Sequence, residues 1–505
     1  MRKNLFVLFF IISVGAEGQV TFVKLYSNGA PHWPQPFIKT FDGNLLFSGY
    51  YYNSYLTKTD QEGNILWSKE FLMQGSEVVE AIKPTKDSCY LLAGSVDSVS
   101  GNTTDRKLFL LKVDFNGSFL WIKIYDNVGG GITGLFETAD SGFFVPTQNF
   151  LDPTLVRTDK DGDTLWTKIL TSAGFIKSTY GTFDGGYIIS GYKVTGEIFL
   201  IKMDSSGNII WSKNYSMTGD PFSVLQSSDS GYIVTGCINC QSFSTDGFII
   251  KTNVSGDIVW AKIFFSPIRE IGLSIIETAP LGFAITGFLS DTTGHGTFLI
   301  KLNSNGDTLW TATYPVMSGG VSLLNADDGG FLISIQHDMG NLWGLGLIKT
   351  DEFGLTDCSE YYKSLIFQDT ILQTTNSTVS ILNASTNIVT IPVQQNINVT
   401  NISTVCYSTE VRDEIKNDPI QISLYPNPFH TSTVLKIITS LVPEYLEEKA
   451  QLKIFNSMGV LVRTEQIPKS ASYILHRSGL IDGFYFYELQ NHDGGMIGTG
   501  KFVID

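Results

Sequence analysis

The sequence predicts an all-β protein: a seven-bladed β-propeller followed by a small Ig-like β-sandwich. Three observations carry that reading. Six of the eight tryptophans, Trp67, Trp121, Trp166, Trp211, Trp260 and Trp310, recur 54, 45, 45, 49 and 50 residues apart. A period of that size marks a repeat architecture. Each Trp closes one phrase (KTDQEGNILW, KVDFNGSFLW, RTDKDGDTLW, KMDSSGNIIW, KTNVSGDIVW, KLNSNGDTLW), and a seventh copy, KTDEFGLTDC, starts at Lys349. Finally, charged residues are only 16%, aromatics reach 12%, and 49 residues are Gly, which suits short strands and tight turns better than helices.

Residues 1–18 read as a secretory signal. Arg2-Lys3 precede an apolar run, Leu5–Val14, and the small residues Ala16 and Gly18 place cleavage before Gln19. The run is too short to span a bilayer, and no later stretch is long and apolar enough to be a transmembrane segment. A net charge of −15 argues against nucleic acid as a partner, because a phosphate backbone rewards a basic face.

Residues 19–362 carry the repeat. Each unit starts with a hairpin around an Asp-Gly-type turn (FDGNLLFSG, KDSCYLLAG, ADSGFFVPT, FDGGYIISG, SDSGYIVTG, APLGFAITG, DDGGFLISI). A second hairpin follows, with Asp or Asn capping the turn and Gly in the left-handed position. Four short antiparallel strands, here lettered a to d, per ~48 residues are a propeller blade. The strands are apolar on both faces, as stacking between neighbours requires, and the Trp reads as interblade packing. Val20–Tyr26, VTFVKLY, matches the Trp-bearing strand (compare WSKNY) but has no hairpin before it. It is expected to complete the seventh blade and remove an open edge.

Calcium enters only through the DxxGD turns. The richest copy offers Asp159, Asp161 and Asp163, whereas Ca²⁺ takes six or more oxygens. The turn reading is preferred, and no cofactor is expected. Five cysteines fit an exported protein with a few disulfides. Cys237 and Cys240 can close a small ring, Cys358 and Cys406 form a second candidate pair, and Cys89 reads as a buried free thiol. Residues 363–418 are rich in Thr, Asn and Ser, and read either as a small β layer or as an extended linker.

The phrase FLIKMDSSGNIIW, followed by GYIVTG, resembles the bacterial β-propeller repeat family with its F-x-x-K-x-D-x-x-G-x-x-x-W pattern, over residues 20–362. That resemblance implies fold and says little about activity. Residues 419–505 resemble a second family. ISLYPNPFHTSTVLKI, LKIFNSMGVLVRTEQI and GLIDGFYFYELQNHDGGMIGTGKFVID are similar to the type A C-terminal sorting domain of the type IX secretion system of Bacteroidetes. The matching positions are Tyr425, Pro426, Asn427, Pro428, Gly459, Gly483, Tyr485 and Lys501. The resemblance implies recognition by the secretion machinery at the outer membrane, then release or attachment at the cell surface. Read from its own alternation and turns, the same stretch is a six- or seven-stranded sandwich.

No nucleophile elbow, zinc motif or phosphate loop is present, and the propeller region holds three histidines, His32, His295 and His337. The a–b and c–d turns are short and repetitive and share one end of the ring. The b–c and d–a connections vary and share the other (Ser27–Pro36, Val96–Lys107, Asp126–Gly131, Cys237–Gly247, Leu289–Gly296, Gln336–Gly344). Function concentrates on variable loops over a rigid scaffold. The candidate contacts are therefore His32, Trp33, Tyr51, Tyr52, His295, His337 and Trp343. The favoured function is non-enzymatic binding of an extracellular glycan, protein or surface polymer. The alternatives are a secreted hydrolase or lyase with acid/base groups in those loops, a quinoprotein dehydrogenase (disfavoured by blade number and a missing Thr-Gly pair), and a purely structural matrix component.

Overall fold

The chain divides into two compact units, 19–409 and 410–505. This computed structural model describes residues 20–504 with breaks at 28–32, 52, 74–76, 101–102, 149–151, 241–244, 266–268, 280–281, 292–293, 315–318, 339–342, 357–365, 385, 387, 390–393, 398–400, 409–420, 426–429, 439–448, 457–460, 469–471 and 491–495. The expected signal, 1–18, lies outside the described residues.

The larger unit begins with β1 (Thr21–Ser27), which joins its sheet last. Antiparallel units follow in order. The first is β2 (Trp33–Lys39), β3 (Leu45–Tyr51), β4 (Asn53–Thr59) and β5 (Ile65–Leu72). The second is β6 (Glu77–Pro84), β7 (Tyr90–Ser100), β8 (Thr103–Val113) and β9 (Phe119–Tyr125). In the third, a broken first strand, β10 (Gly131–Ile132) and β11 (Phe136–Glu137), pairs with β12 (Phe143–Gln148), then β13 (Thr154–Thr158) and β14 (Thr164–Thr171). The fourth is β15 (Phe175–Gly181), β16 (Tyr187–Tyr192), β17 (Glu197–Met203) and β18 (Ile209–Gln226). β18 runs on without a loop as the first strand of the fifth, with β19 (Tyr232–Ile238), β20 (Asp246–Thr252) and β21 (Ile258–Phe265). The sixth is β22 (Arg269–Thr278), β23 (Gly282–Asp291), β24 (Gly294–Asn303) and β25 (Thr308–Tyr314). The seventh is β26 (Gly320–Asn325), β27 (Phe331–Asp338), β28 (Trp343–Lys349) and, as its fourth strand, β1.

Apolar residues on both strand faces give each sheet two packing surfaces, and hydrophobic clusters bridge successive units. Leu46, Leu56 and Phe71 of the first unit meet Tyr90, Phe109 and Leu111 of the second. Similar clusters join the second to the third and onward to the seventh. The stack then closes on itself, because Phe22, Tyr26 and Leu345 pack on Phe37, Leu45 and Phe47 of the first unit.

The described residues of 363–418 are neither a separate layer nor a bare linker, because they add to sheets of the larger unit. Their strands are β29 (Ile366–Asp369), β30 (Thr374–Asn376), β31 (Ser380–Ala384), β32 (Ile388–Val389), β33 (Gln394–Ile397) and β34 (Asn401–Ser408). They add one antiparallel strand each to β21, β18, β14, β9, β5 and β1. This belt therefore runs from the fifth unit back to the first and on to the seventh, against the chain order of the sheets it covers. Backbone groups that an outermost strand would leave unpaired are satisfied by it.

The smaller unit has two sheets. One is β35 (Gln421–Tyr425), β36 (Ser432–Ile438) and β39 (Ser472–His476). The other is β37 (Lys449–Asn456), β38 (Leu461–Pro468), β40 (Gly483–Gln490) and β41 (Met496–Ile504). They share a core in which Leu435 and Leu475 meet Leu452, Ile454, Tyr485 and Phe502.

Candidate binding face and sorting domain

The end built from a–b and c–d turns spends its polar groups on itself. In the a–b turn the Thr40 amide donates to the Asn44 carbonyl at 2.8 Å, its hydroxyl donates to Asp42, and Gly43 takes φ 78°. A cation from strand c then reaches back to the turn acid: Lys58–Asp42 at 2.9 Å, Lys112–Asp87 at 2.5 Å, Lys202–Asp184 at 2.9 Å, Lys251–Asp229 at 2.7 Å, Lys349–Asp328 at 2.6 Å, and Arg157–Asp140. The cations are nearly buried, so an acid beside each offsets its desolvation. The Thr138 hydroxyl and Arg157 hold Asp140 down at about 2. For Asp184, burial pushes upward but is outweighed by donors from Thr182, Lys202 and Gly186, which leave it at about 2.

The sixth unit departs from this pattern, with Pro280 where the others carry Asp. Its cation, Lys301, donates instead to the Thr278 hydroxyl, and burial pushes its ammonium down to about 8. These ion pairs are absent from the sequence reading, although the matched loss of the Asp in one repeat is a signal that could have revealed them.

The c–d turns join neighbouring units. The Asp204 carboxylate accepts from the Ser206 and Asn208 amides at 2.9 and 2.8 Å, and Gly207 takes φ 72°. The ring of Trp166, from the preceding unit, lies so close that a Cβ on Gly207 would come within 2.6 Å of it. Trp67, Trp121, Trp211, Trp260 and Trp310 sit likewise on Gly117, Gly162, Gly256, Gly306 and Gly354. Four residues after the Trp phase, Tyr125, Tyr215 and Tyr314 donate to the carbonyls of Gly162, Gly256 and Gly354 at 2.7, 2.8 and 2.7 Å. In β1 the phase is held by Phe22, against Gly63, and Tyr26 donates to the Gly63 carbonyl at 2.7 Å.

This arrangement also accounts for the calcium candidates. Asp159 accepts the amides of Asp161 and Asp163 at 2.9 and 2.8 Å, Asp161 pairs with Lys160 at 2.6 Å, and Asp163 pairs with Lys123 at 2.8 Å. A cleft of about 610 Å³ at this end is lined by Trp166, Tyr187, Asp140, Arg157 and Asp184. Its acids are already paired, and Trp166 is covered by Gly207 on one side and has the Lys168 ammonium 4.5 Å from its centroid.

The opposite end differs from unit to unit. The β7–β8 hairpin stays paired out to Ser100↔Thr103 and β23–β24 out to Asp291↔Gly294. β16 and β17 end at Tyr192↔Ile198, closed by the tight turn 193–196. Backbone register places Trp33 opposite Tyr50, Tyr51 opposite Asn53, His295 opposite Ser290, and His337 and Trp343 opposite Gly344 and Asp338. All five stand at strand ends of the variable side, in three different units. His32 and Tyr52 lie outside the described residues.

Two features at this end escaped the sequence reading. Glu77 is fully buried: its Oε1 accepts from the Ser54 amide at 3.2 Å, while Oε2 has no partner among the described residues. Burial pushes its carboxyl up to about 7. A cleft of about 580 Å³ opens beside the belt, lined by Asp152, Lys193, Glu197, Asn214, Asn376 and Thr378. The Lys193 ammonium donates to the Ser172 carbonyl at 2.9 Å, and burial lowers its pKa.

Cys237 and Cys240 are joined as a disulfide with Cα atoms 5.6 Å apart. Cys358 lies outside the described residues, and Cys406 sits in β34 opposite Val23. Cys89 is free but partly exposed rather than buried, because it stands at the end of an a–b turn, where its thiol lies 3.6 Å from the Asp87 carbonyl.

In the smaller unit, Gly483 opens β40 at φ 149°. Tyr485 is buried, donates to the Ile481 carbonyl at 2.8 Å and stacks on Phe502 at 5.3 Å. Tyr425 ends β35 opposite Val434, and Lys501 lies opposite Phe486. Pro426, Asn427, Pro428 and Gly459 lie outside the described residues. Residues 423–505 match the secretion system C-terminal sorting domain family. The sorting domain marks the chain for export through type IX secretion to the cell surface or the medium, which implies contact with that machinery.

No curated protein matches the chain. Solved structures similar to it include a Bacteroides caccae protein of unknown function, at 14% identity and TM-score 0.35, covering 58% of this chain and 93% of that one. YCF48 bound to D1 peptide is similar at 11% identity and TM-score 0.42, covering 67% and 99%. Sqt1 from Chaetomium thermophilum is similar at 11% and 0.36, covering 65% and 98%. No helix among the described residues is long and apolar enough to cross a membrane.

Proposed function

We propose that residues 19–409 form one seven-bladed β-propeller with a belt, followed by an Ig-like sorting domain, and that the propeller is a non-enzymatic binding module. Its ligand is an extracellular glycan, protein or surface polymer, held at the b–c/d–a end. The observation that carries this reading is the contrast between the two ends. At the repetitive end the turn acids are paired with strand-c cations in six of the seven units, whereas the other end changes in length and chemistry from blade to blade. Positions Trp33, Tyr51, His295, His337 and Trp343 all stand there, and aromatic side chains supply large contact area at low entropic cost.

A glycan array probed with the exported protein tests it. A selective hit that is lost in Trp33→Ala or Trp343→Ala supports the reading. A hit unchanged in both variants overturns the choice of face.

The belt cleft favours a second reading, a secreted hydrolase, because Asp152 and Glu197 line the same concavity and paired carboxylates can serve as acid and base. Turnover of a polysaccharide that is abolished by Glu197→Gln would select it.

A further inference from the structure

Six of the seven fourth strands are tied covalently into their sheets. β5, β9, β14, β18, β21 and β25 each follow their third strand through a turn capped by Asp60, Asp114, Asp159, Asp204, Asn253 or Asn303. β1 is not. It arrives from the other end of the chain, held against β28 by ladder bonds and packing, with the Thr21 hydroxyl donating to the Thr356 carbonyl at 2.9 Å.

The belt also treats β1 differently. β29 to β33 contain 4, 3, 5, 2 and 4 residues, whereas β34 contains 8. It pairs with β1 from Thr21↔Ser408 to Ser27↔Asn401, with one register shift between Val23 and Lys24. Among the described residues, the longest belt strand therefore sits at the one blade whose fourth strand lacks a covalent tie. What hangs on that strand is the closure itself. Val23 and Leu25 pack into the cluster with the sixth unit, and Phe22 and Tyr26 into the cluster with the first. A terminal strand on an open edge frays from its free end and offers its unpaired groups to other chains.

We propose that β34 is a latch. It keeps β1 docked, so that ring closure depends on the C-terminal end of the belt as well as on the N-terminal strand. The two ends of the propeller are thereby clasped to each other just ahead of the sorting domain, and disturbance of residues 401–408 is felt first at residues 21–27 and at β28.

Hydrogen exchange read by mass spectrometry on the full-length protein tests this. Ser403→Pro interrupts β34 opposite Leu25, and Asn383→Pro makes the same lesion in β31 opposite Lys168. In Ser403→Pro, exchange across residues 20–27 and 343–349 should rise about tenfold or more, while Asn383→Pro should leave residues 164–171 within about twofold of wild type. Unchanged exchange at residues 20–27, or equal effects of the two prolines on their partner strands, overturns the latch. If Ser403→Pro does not fold, a Thr21→Cys, Ser408→Cys staple answers the same question. Oxidation should slow exchange across residues 343–349 relative to the reduced form, and no slowing overturns the proposal.

Discussion

Lys301 is the position where one side chain departs from its repeat. Elsewhere a nearly buried strand-c cation faces a turn carboxylate; here burial without that acid brings the ammonium to about 8. Because the folded value is depressed below 10.5, the unfolded chain binds more protons between pH 8 and 10.5, and stability should rise with pH across that window. Lys301→Met should remove this slope and raise Tm at pH 7, while matching wild type near pH 10.5. Thermal melts at the two pH values check it. Glu77 has the opposite sign. Its folded value of about 7 lies above the ordinary 4.5, so its contribution is present at low pH and lost as pH rises through 7. Glu77→Gln should therefore raise Tm at pH 8 more than at pH 5. Glu77 had no signal in the sequence, and Lys301 was marked only by the missing turn Asp of its repeat. A lone Lys or Glu in a strand looks the same whether or not an acid or a donor meets it in space.

At the level of strands and turns much more could be read. The Trp phase located every c–d hairpin because one turn chemistry, Asp or Asn followed by a left-handed Gly, recurs in each, whereas the left-handed residue of the a–b turns is Gly in some units and Ser88, Ser141 or Ser230 in others. The phase also has a structural consequence: Trp and Tyr of one blade close on the turn glycine of the next. Gly207→Ala should cost about 2–4 kcal/mol, combining overpacking against Trp166 with strain at positive φ. Gly185→Ala is the control. Its φ of 78° is similar, but nothing lies within 4 Å of a Cβ there, so strain alone, about 1 kcal/mol, is expected. Urea denaturation of both variants separates the two terms. The belt was harder to read. Its strands are two to eight residues long, lack turn signals of their own and take their register from sheets elsewhere, so alternation in ILNASTNIVTIPV was compatible with a layer or a linker. Five of the candidate contacts, Trp33, Tyr51, His295, His337 and Trp343, stand at strand ends in three different units, and a sequence cannot state which of them converge.

For the whole molecule, the division into 19–409 and 410–505 separates folding from delivery. Deleting residues 419–505 should leave a folded β-propeller, seen as an unchanged cooperative melt, that stays within the cell envelope. Cell fractionation checks the location, and normal appearance of the truncated chain at the surface or in the medium would contradict the role of the sorting domain.

The reversed path of the belt has a further consequence for how this architecture can change over generations. Tandem repeats invite unequal recombination, which would add or remove a blade at little cost to the joints, since six of them share the same Trp-on-Gly contact. The belt is not built of repeats. A ring with one blade more or fewer would place each belt strand over the wrong edge and carry its last strand past, or short of, the N-terminal strand. A tandem array free to drift in number is in this way held to a single count.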